Sequence, residues 1–117
     1  MGGAAMTARR QADGATVMDV RGSLDASTVG GLRVAMLDAL NRDRPRLMIV
    51  DLTLVTFMDS TGIGLLVGGH RSALDLGARF VVRNPSEFVH RQLRLTGLTG
   101  LLGLSSANAA PGWRTGG

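Results

Sequence analysis

Asp59-Ser60-Thr61, followed by Gly62-Ile63-Gly64, sets one carboxylate and two hydroxyls where an apolar run gives way to a helical pattern. A helix start exposes unpaired N–H groups and a partial positive charge. An acid or hydroxyl placed there serves as an N-cap. The same position suits a phosphoacceptor, because a helix N-terminus stabilises an added phosphate as it does any bound anion. Both readings of Ser60 stand on these residues. Hydrolytic use of Ser60 fails on its neighbours. A nucleophile elbow needs Gly two residues before the Ser, and Met58 stands there. His70 would lie about 15 Å further along the same helix, too far for a direct base. His70 and His90 read as surface histidines.

Other chemistries are removed by composition. The 117 residues include 13 Arg, no Lys and no Cys. Without Lys there is no Schiff base and no P-loop lysine, nor the lysine that phospho-aspartate receivers use beside residues such as Asp51 or Asp59. Without Cys there is no disulfide framework or thiolate zinc site, and two histidines alone make no typical zinc centre. No metal, cofactor or catalytic group is expected. Gly62-x-Gly64-x-x-x-Gly68 is one residue too long for a dinucleotide fingerprint. The net charge is +4, but the arginines are spread along the chain. Only Arg42-Asp43-Arg44-Pro45-Arg46 clusters, so no direct nucleic-acid contact is expected. Residues 1–14 lack the apolar core of about 7 or more residues that a signal peptide needs. Leu95–Trp113 is uncharged over 19 residues but contains Pro111, Asn108 and four Gly, so no membrane span is expected. The expected setting is cytoplasmic.

The elements that must position Ser60 are legible in outline. Length and a 44% hydrophobic content suit one domain with its own core. Aromatics are only 3%, so aliphatic residues and Met must fill that core. Ala5–Arg10 and Thr16–Arg21 read as strands joined by a hairpin at Asp13-Gly14. Gly22-Ser23-Leu24-Asp25 is expected to end the second strand. Ser27 or Thr28 caps a helix with Val29, Leu32, Ala35, Met36 and Leu40 at helical spacing. Leu47–Val50 is a continuous apolar run closed by Asp51, which suits a strand buried on both faces among parallel neighbours. Ser60–Leu76 reads as a second helix, with Ile63, Leu66, Val67 and Leu74 on one face and Gly77 as its cap. Gly62, Gly64, Gly68 and Gly69 weaken that helix by roughly 1 kcal/mol each relative to Ala. Either the helix packs tightly on its own sheet, or it leaves a shallow surface for a partner. Arg79–Val82 is a further strand. Pro85-Ser86 opens a third helix with Phe88, Val89 and Leu93, and Leu101–Leu104 is a short last strand or helix. The expected organisation is a flexible residue 1–5 segment, a folded unit over 6–104 and a flexible tail over 105–117. The element order predicts an α/β mixed sheet covered by helices.

Gly22-Ser23-Leu24-Asp25, then Phe57-Met58-Asp59-Ser60-Thr61-Gly62-Ile63-Gly64, then Asn84-Pro85 with Leu95-Thr96-Gly97-Leu98, resemble the STAS domain of bacterial anti-sigma factor antagonists. The resemblance spans about residues 6 to 104. It implies a single STAS-like domain with a four- or five-stranded mixed sheet and three or four helices. It implies a non-enzyme whose unphosphorylated form binds an anti-sigma factor with ATP-dependent serine kinase activity, freeing the sigma factor. On the matching positions, Ser60 is the residue phosphorylated and Thr61 a secondary acceptor. Asp25 and Asp59 are the acids beside it, and Asp25, Asp59, Ser60, Thr61, Gly62 and Gly64 form the partner surface. A phosphoserine phosphatase would reset the switch. The family also has non-switching members, so the alternative is a STAS scaffold or transport-complex subunit.

Overall fold

The computed structural model describes residues 3–103. The chain runs β1 (Ala4–Arg10), β2 (Ala15–Leu24), α1 (Val29–Asp43), β3 (Leu47–Met58), α2 (Ser60–Asp75), β4 (Arg79–Arg83) and α3 (Glu87–Leu95). One sheet has the order β1-β2-β3-β4, with β1 antiparallel to β2 and the other pairs parallel. The expected mixed sheet is observed, with four strands of the four or five expected and, among the described residues, three helices of the three or four expected. The hairpin closes through Gln11 N–H to Ala15 O at 2.8 Å, and the Asp13 carboxylate accepts from Ala15 N. Two successive right-handed crossovers running in one direction put α1 and α2 on the same face of the sheet. The burial pattern agrees. Met18, Val20, Met48, Val50, Leu52, Phe80 and Val82 join Leu32, Met36, Leu40, Leu65, Leu66 and Ala73 in one core. Among the described residues no helix is long and apolar enough to cross a membrane.

Several boundaries differ from expectation. Ala4, expected in a flexible N-terminus, is a strand residue paired with Gly22, and β1 starts one residue before the expected Ala5. β2 does not end at Gly22 but continues to Leu24, through register shifts between Asp19 and Arg21 and between Gly22 and Ser23. Gly22 has φ +94, and a Cβ there would strike Gly3 O, so only glycine lets the two strands lie this close. β3 passes through Asp51 to Met58 because Asp51 is satisfied within the sheet. Its carboxylate accepts from Thr53 N, Thr53 Oγ1, Arg83 Nε and Asn84 Nδ2. Burial alone would push that carboxyl up. The Thr53 hydroxyl and amide and the Arg83 guanidinium outweigh it and hold the group below its ordinary value.

The helices also turn differently. α2 buries Gly62, Leu65, Leu66, Gly69 and Ala73, while Leu74 is 58% exposed. The helix seats on its smallest residues because they allow close approach; a Cβ on Gly69 would strike Met36 and Phe80. α3 is capped by Ser86, whose hydroxyl accepts from Val89 N, and it buries Val89 and Leu93. Phe88 points outward and stacks on Phe57 at a centroid distance of 6.3 Å. Leu101–Gly103 form a turn rather than a strand or helix, with Leu102 O accepting from Val82 N. Leu104 and the tail expected over 105–117 lie outside the described residues.

Candidate phosphoacceptor site at the start of α2

The parallel strands β2 and β3 end together, with Leu24 and Met58 as their last pair. Asp25 and Asp59 come directly after those residues, so the two acids leave the sheet side by side at its carboxyl edge. In open parallel sheets this edge is where ligands and partners meet the fold. Asp59 N–H donates to Leu24 O at 3.2 Å, which ties the two exits together. The family-like segments around Asp25 and Asp59, 34 residues apart, are thus brought to one place.

Asp59, not Ser60, is the N-cap of α2. Its Oδ1 accepts from Thr61 N at 2.9 Å, from Gly62 N at 3.3 Å and from the Thr61 hydroxyl. The Thr61 hydroxyl is the main reason the Asp59 carboxyl sits below its ordinary value of 3.8; slight burial opposes it and the amides add to it. Ser60 is the first helical residue and is exposed. With the cap supplied by Asp59, the Ser60 hydroxyl is left without a hydrogen bond to any described residue. Thr61 is exposed too, but its hydroxyl is committed to Asp59. Asp25 is half-buried and accepts from Ser27 N at 2.9 Å and Ser27 Oγ at 2.7 Å. Thr28 holds the N-cap position of α1 without capping it by its side chain. Its hydroxyl instead donates to Ser23 O and accepts from Asp25 N, fixing the Asp25 turn.

The α2 glycines divide into two kinds. Gly62 is buried, and a Cβ there would lie 2.7 Å from Met58 Cγ and 2.8 Å from both Leu24 Cβ and Leu24 O. Its expected place on a partner surface is corrected: Gly62 lets the helix sit on the ends of β2 and β3. Gly64 is exposed, with nothing within 4 Å of an added Cβ. Gly68 meets only the far end of the Arg33 side chain, at 3.2 Å. Tight packing explains Gly62 and Gly69; it does not explain Gly64 or Gly68.

Phe57 and Phe88, 42% and 47% exposed, flank the site, and the sequence did not mark them as site residues. The register shifts between β2 and β3 decide which residues of Val55–Met58 turn outward, and no local pattern announces them. Among the described residues, no group of three or more His, Asp or Glu side chains is placed to hold a metal ion.

Residues 7–103 match the family model described as "Mlab, STAS domain". The chain belongs to the STAS domain family. It is 29% identical over 85 residues to an anti-sigma F factor antagonist of Paenibacillus polymyxa, covering 73% of each chain. It is 34% identical over 83 residues to an anti-sigma-B factor antagonist of Staphylococcus aureus, covering 71% of this chain and 76% of the relative. The crystal structure of an anti-sigma factor antagonist from Mycobacterium paratuberculosis superposes with a TM-score of 0.75 at 28% identity, covering 86% of this STAS chain and 84% of the other.

Proposed function

We propose that this STAS protein is an anti-sigma factor antagonist, switched off by phosphorylation of Ser60. The observation that carries the reading is the Ser60 hydroxyl: exposed, at the first position of α2, and free because Asp59 does the capping. The unphosphorylated surface around Asp25, Asp59, Ser60 and Gly64 binds an anti-sigma factor that is also a serine kinase. The kinase transfers the γ-phosphoryl group of ATP to Ser60 Oγ. An O–P bond forms, the bond to ADP breaks, and the hydroxyl proton leaves to a base on the kinase. The antagonist is substrate and ligand rather than enzyme, and it needs no cofactor of its own. A phosphoserine phosphatase returns it to the binding form.

The added charge accounts for release. Phosphoserine brings about −1.5 to −2 charges at neutral pH. The Thr61 and Gly62 amides that could receive it already serve Asp59. The phosphate therefore faces the partner, next to one carboxylate and near a second. A docked surface must then desolvate a poorly paired dianion, at a cost of at least a few kcal/mol. About 3 kcal/mol weakens binding roughly a hundredfold. Incubation with the cognate kinase and ATP should add one phosphate, located on Ser60 by mass spectrometry; phosphate elsewhere with Ser60 untouched refutes the site. The second reading is a non-switching STAS scaffold or transport-complex subunit, since the matching family is described only as "Mlab, STAS domain". That subunit would bind its partner with no phosphate turnover, so the same incubation separates the two.

A further inference from the structure

The parallel strands also begin together, at the edge opposite Ser60. Ala15, Leu47 and Arg79 open β2, β3 and β4 in register. Just before Ala15 the hairpin turns through Asp13 and Gly14, where Gly14 takes φ +91, a conformation open to glycine. Just before Leu47 stands Arg46, whose carbonyl accepts from Arg79 N at 2.9 Å. The two arginines are thus tied together through their backbones on neighbouring strand ends. Between them and the hairpin lies a cavity of about 320 Å³, lined by Asp13, Gly14, Ala15, Arg46, Leu47 and Arg79. That volume falls in the range of about 300–1,000 Å³ typical of small-molecule sites.

The charges lining it are unbalanced. Arg9, Arg42 and Arg83 hold ion pairs with Asp19, Asp43 and Asp51, whereas Arg46 and Arg79 form none among the described residues. Asp43, at the end of α1, is engaged by Arg42 and by the Thr16 hydroxyl. Asp75, at the end of α2, forms no ion pair with a described residue. The one acid in the cavity, Asp13, accepts from Ala15 N through Oδ1 at 3.0 Å, and no described residue donates to its Oδ2. Like charges on neighbouring strands repel, and an anion between them removes that cost. Guanidinium forks match the oxygens of a phosphate group. We propose that this cavity binds the phosphate monoester of a small polyol. Arg46 and Arg79 take the phosphoryl oxygens, Asp13 Oδ2 accepts from a hydroxyl, and the carbon skeleton lies on Ala15 and Leu47. The site stands at the far edge of the sheet from Ser60 and does not depend on the kinase reading.

Amide spectra of the full-length protein at low ionic strength test the site. Glycerol 3-phosphate should shift the Gly14 and Ala15 amides along a saturable curve, and glycerol alone should not. Arg46→Gln and Arg79→Gln should each weaken binding roughly tenfold or more, because each removes charge-assisted hydrogen bonds. The folded double variant should show no saturable response. Arg91→Gln with Arg94→Gln removes the same charge from exposed positions of α3 and should leave binding unchanged. Vesicles of phosphatidylcholine with phosphatidic acid present a phosphate monoester that lacks the hydroxyl. Binding to these vesicles with no response to glycerol 3-phosphate overturns the proposal and assigns the arginines to a lipid surface. A response to neither probe overturns it as well. So does binding that survives in the folded double variant, or that falls equally in the α3 control.

Discussion

Leu24-Asp25-Ala26-Ser27 and Met58-Asp59-Ser60-Thr61 leave adjacent strands at the same edge of the sheet and make the same local bonds. In each, one aspartate oxygen accepts from the backbone N–H and the hydroxyl of the residue two positions on. They differ in where the next helix begins. After Asp59 it begins at once, so the intervening residue becomes its exposed first position. After Asp25 the chain makes a further turn, and α1 starts only at Val29. The hydroxyl two residues on is occupied in both turns, and only the second turn carries a hydroxyl at the intervening position. The two turns and the residues that follow them carry four hydroxyls, on Ser27, Thr28, Ser60 and Thr61. The geometry leaves one of them unengaged.

Removing hydroxyls from the two turns would break that comparison most severely. Ser60→Ala should bind the kinase normally and resist release by ATP, losing the roughly hundredfold weakening expected of a phosphate. Ser27→Ala should bind and release as the parent does, since its hydroxyl serves only Asp25. Titration calorimetry with and without ATP checks both. Normal release of Ser60→Ala would move the switch to another residue.

The glycines give the next largest effect, in stability. Gly62→Ala forces a methyl between Leu24 and Met58, where overpacking typically costs about 1–3 kcal/mol. Gly64→Ala meets open space and should gain up to about 1 kcal/mol from helix propensity. Urea unfolding of the two variants should move in opposite directions. Gly64→Leu should keep the fold and weaken kinase binding, because its side chain would stand on the surface beside Ser60. Unimpaired binding by folded Gly64→Leu would remove Gly64 from the interface.

The motif was legible because Asp-Ser-Thr places an acid and two hydroxyls together where a helix starts. The crossover pattern was legible because hydrophobic periodicity and Gly/Pro punctuation are local too. What could not be read depends on residues far apart in sequence. Gly62 looked like surface because its clash partners, Leu24 and Met58, sit at the ends of two different strands. Leu74 looked buried because helical spacing alone marks it, whereas the actual seat of α2 was set by where Met36 and Phe80 leave room for Gly69. β3 was cut short at Asp51 because a lone charge after an apolar run resembles a strand end. Only the arrival of Arg83 and Asn84 from the β4 end of the sheet makes that carboxylate a member of it.

Acid should weaken the second turn through Asp59. Its carboxyl lies below the ordinary 3.8 in the folded protein, so the unfolded chain binds more protons in that range. Stability therefore rises with pH through the window, is fully present above the ordinary value and is lost as pH falls through the folded one. Asp59→Asn should be less stable than the parent at neutral pH, and the gap should close on acidification. A gap that stays constant with pH would mean the cap acts without its charge.

Thr61 should give the smallest effect and the finest resolution. Its hydroxyl is the largest single influence holding the Asp59 carboxyl down, ahead of the Gly62 and Thr61 amides. Thr61→Val keeps the shape and the amide but removes that donor. The Asp59 carboxyl should then titrate closer to its ordinary value, a change visible in the carboxyl carbon resonance. Ser60 should still accept phosphate, because its own hydroxyl never depended on Thr61. The same bond makes Thr61 the poorer acceptor in the parent, since phosphorylation there must first break the clamp. Equal phosphate on Thr61 and Ser60 would show that engagement with Asp59 offers Thr61 no protection, and exposure alone would then decide which hydroxyl reacts.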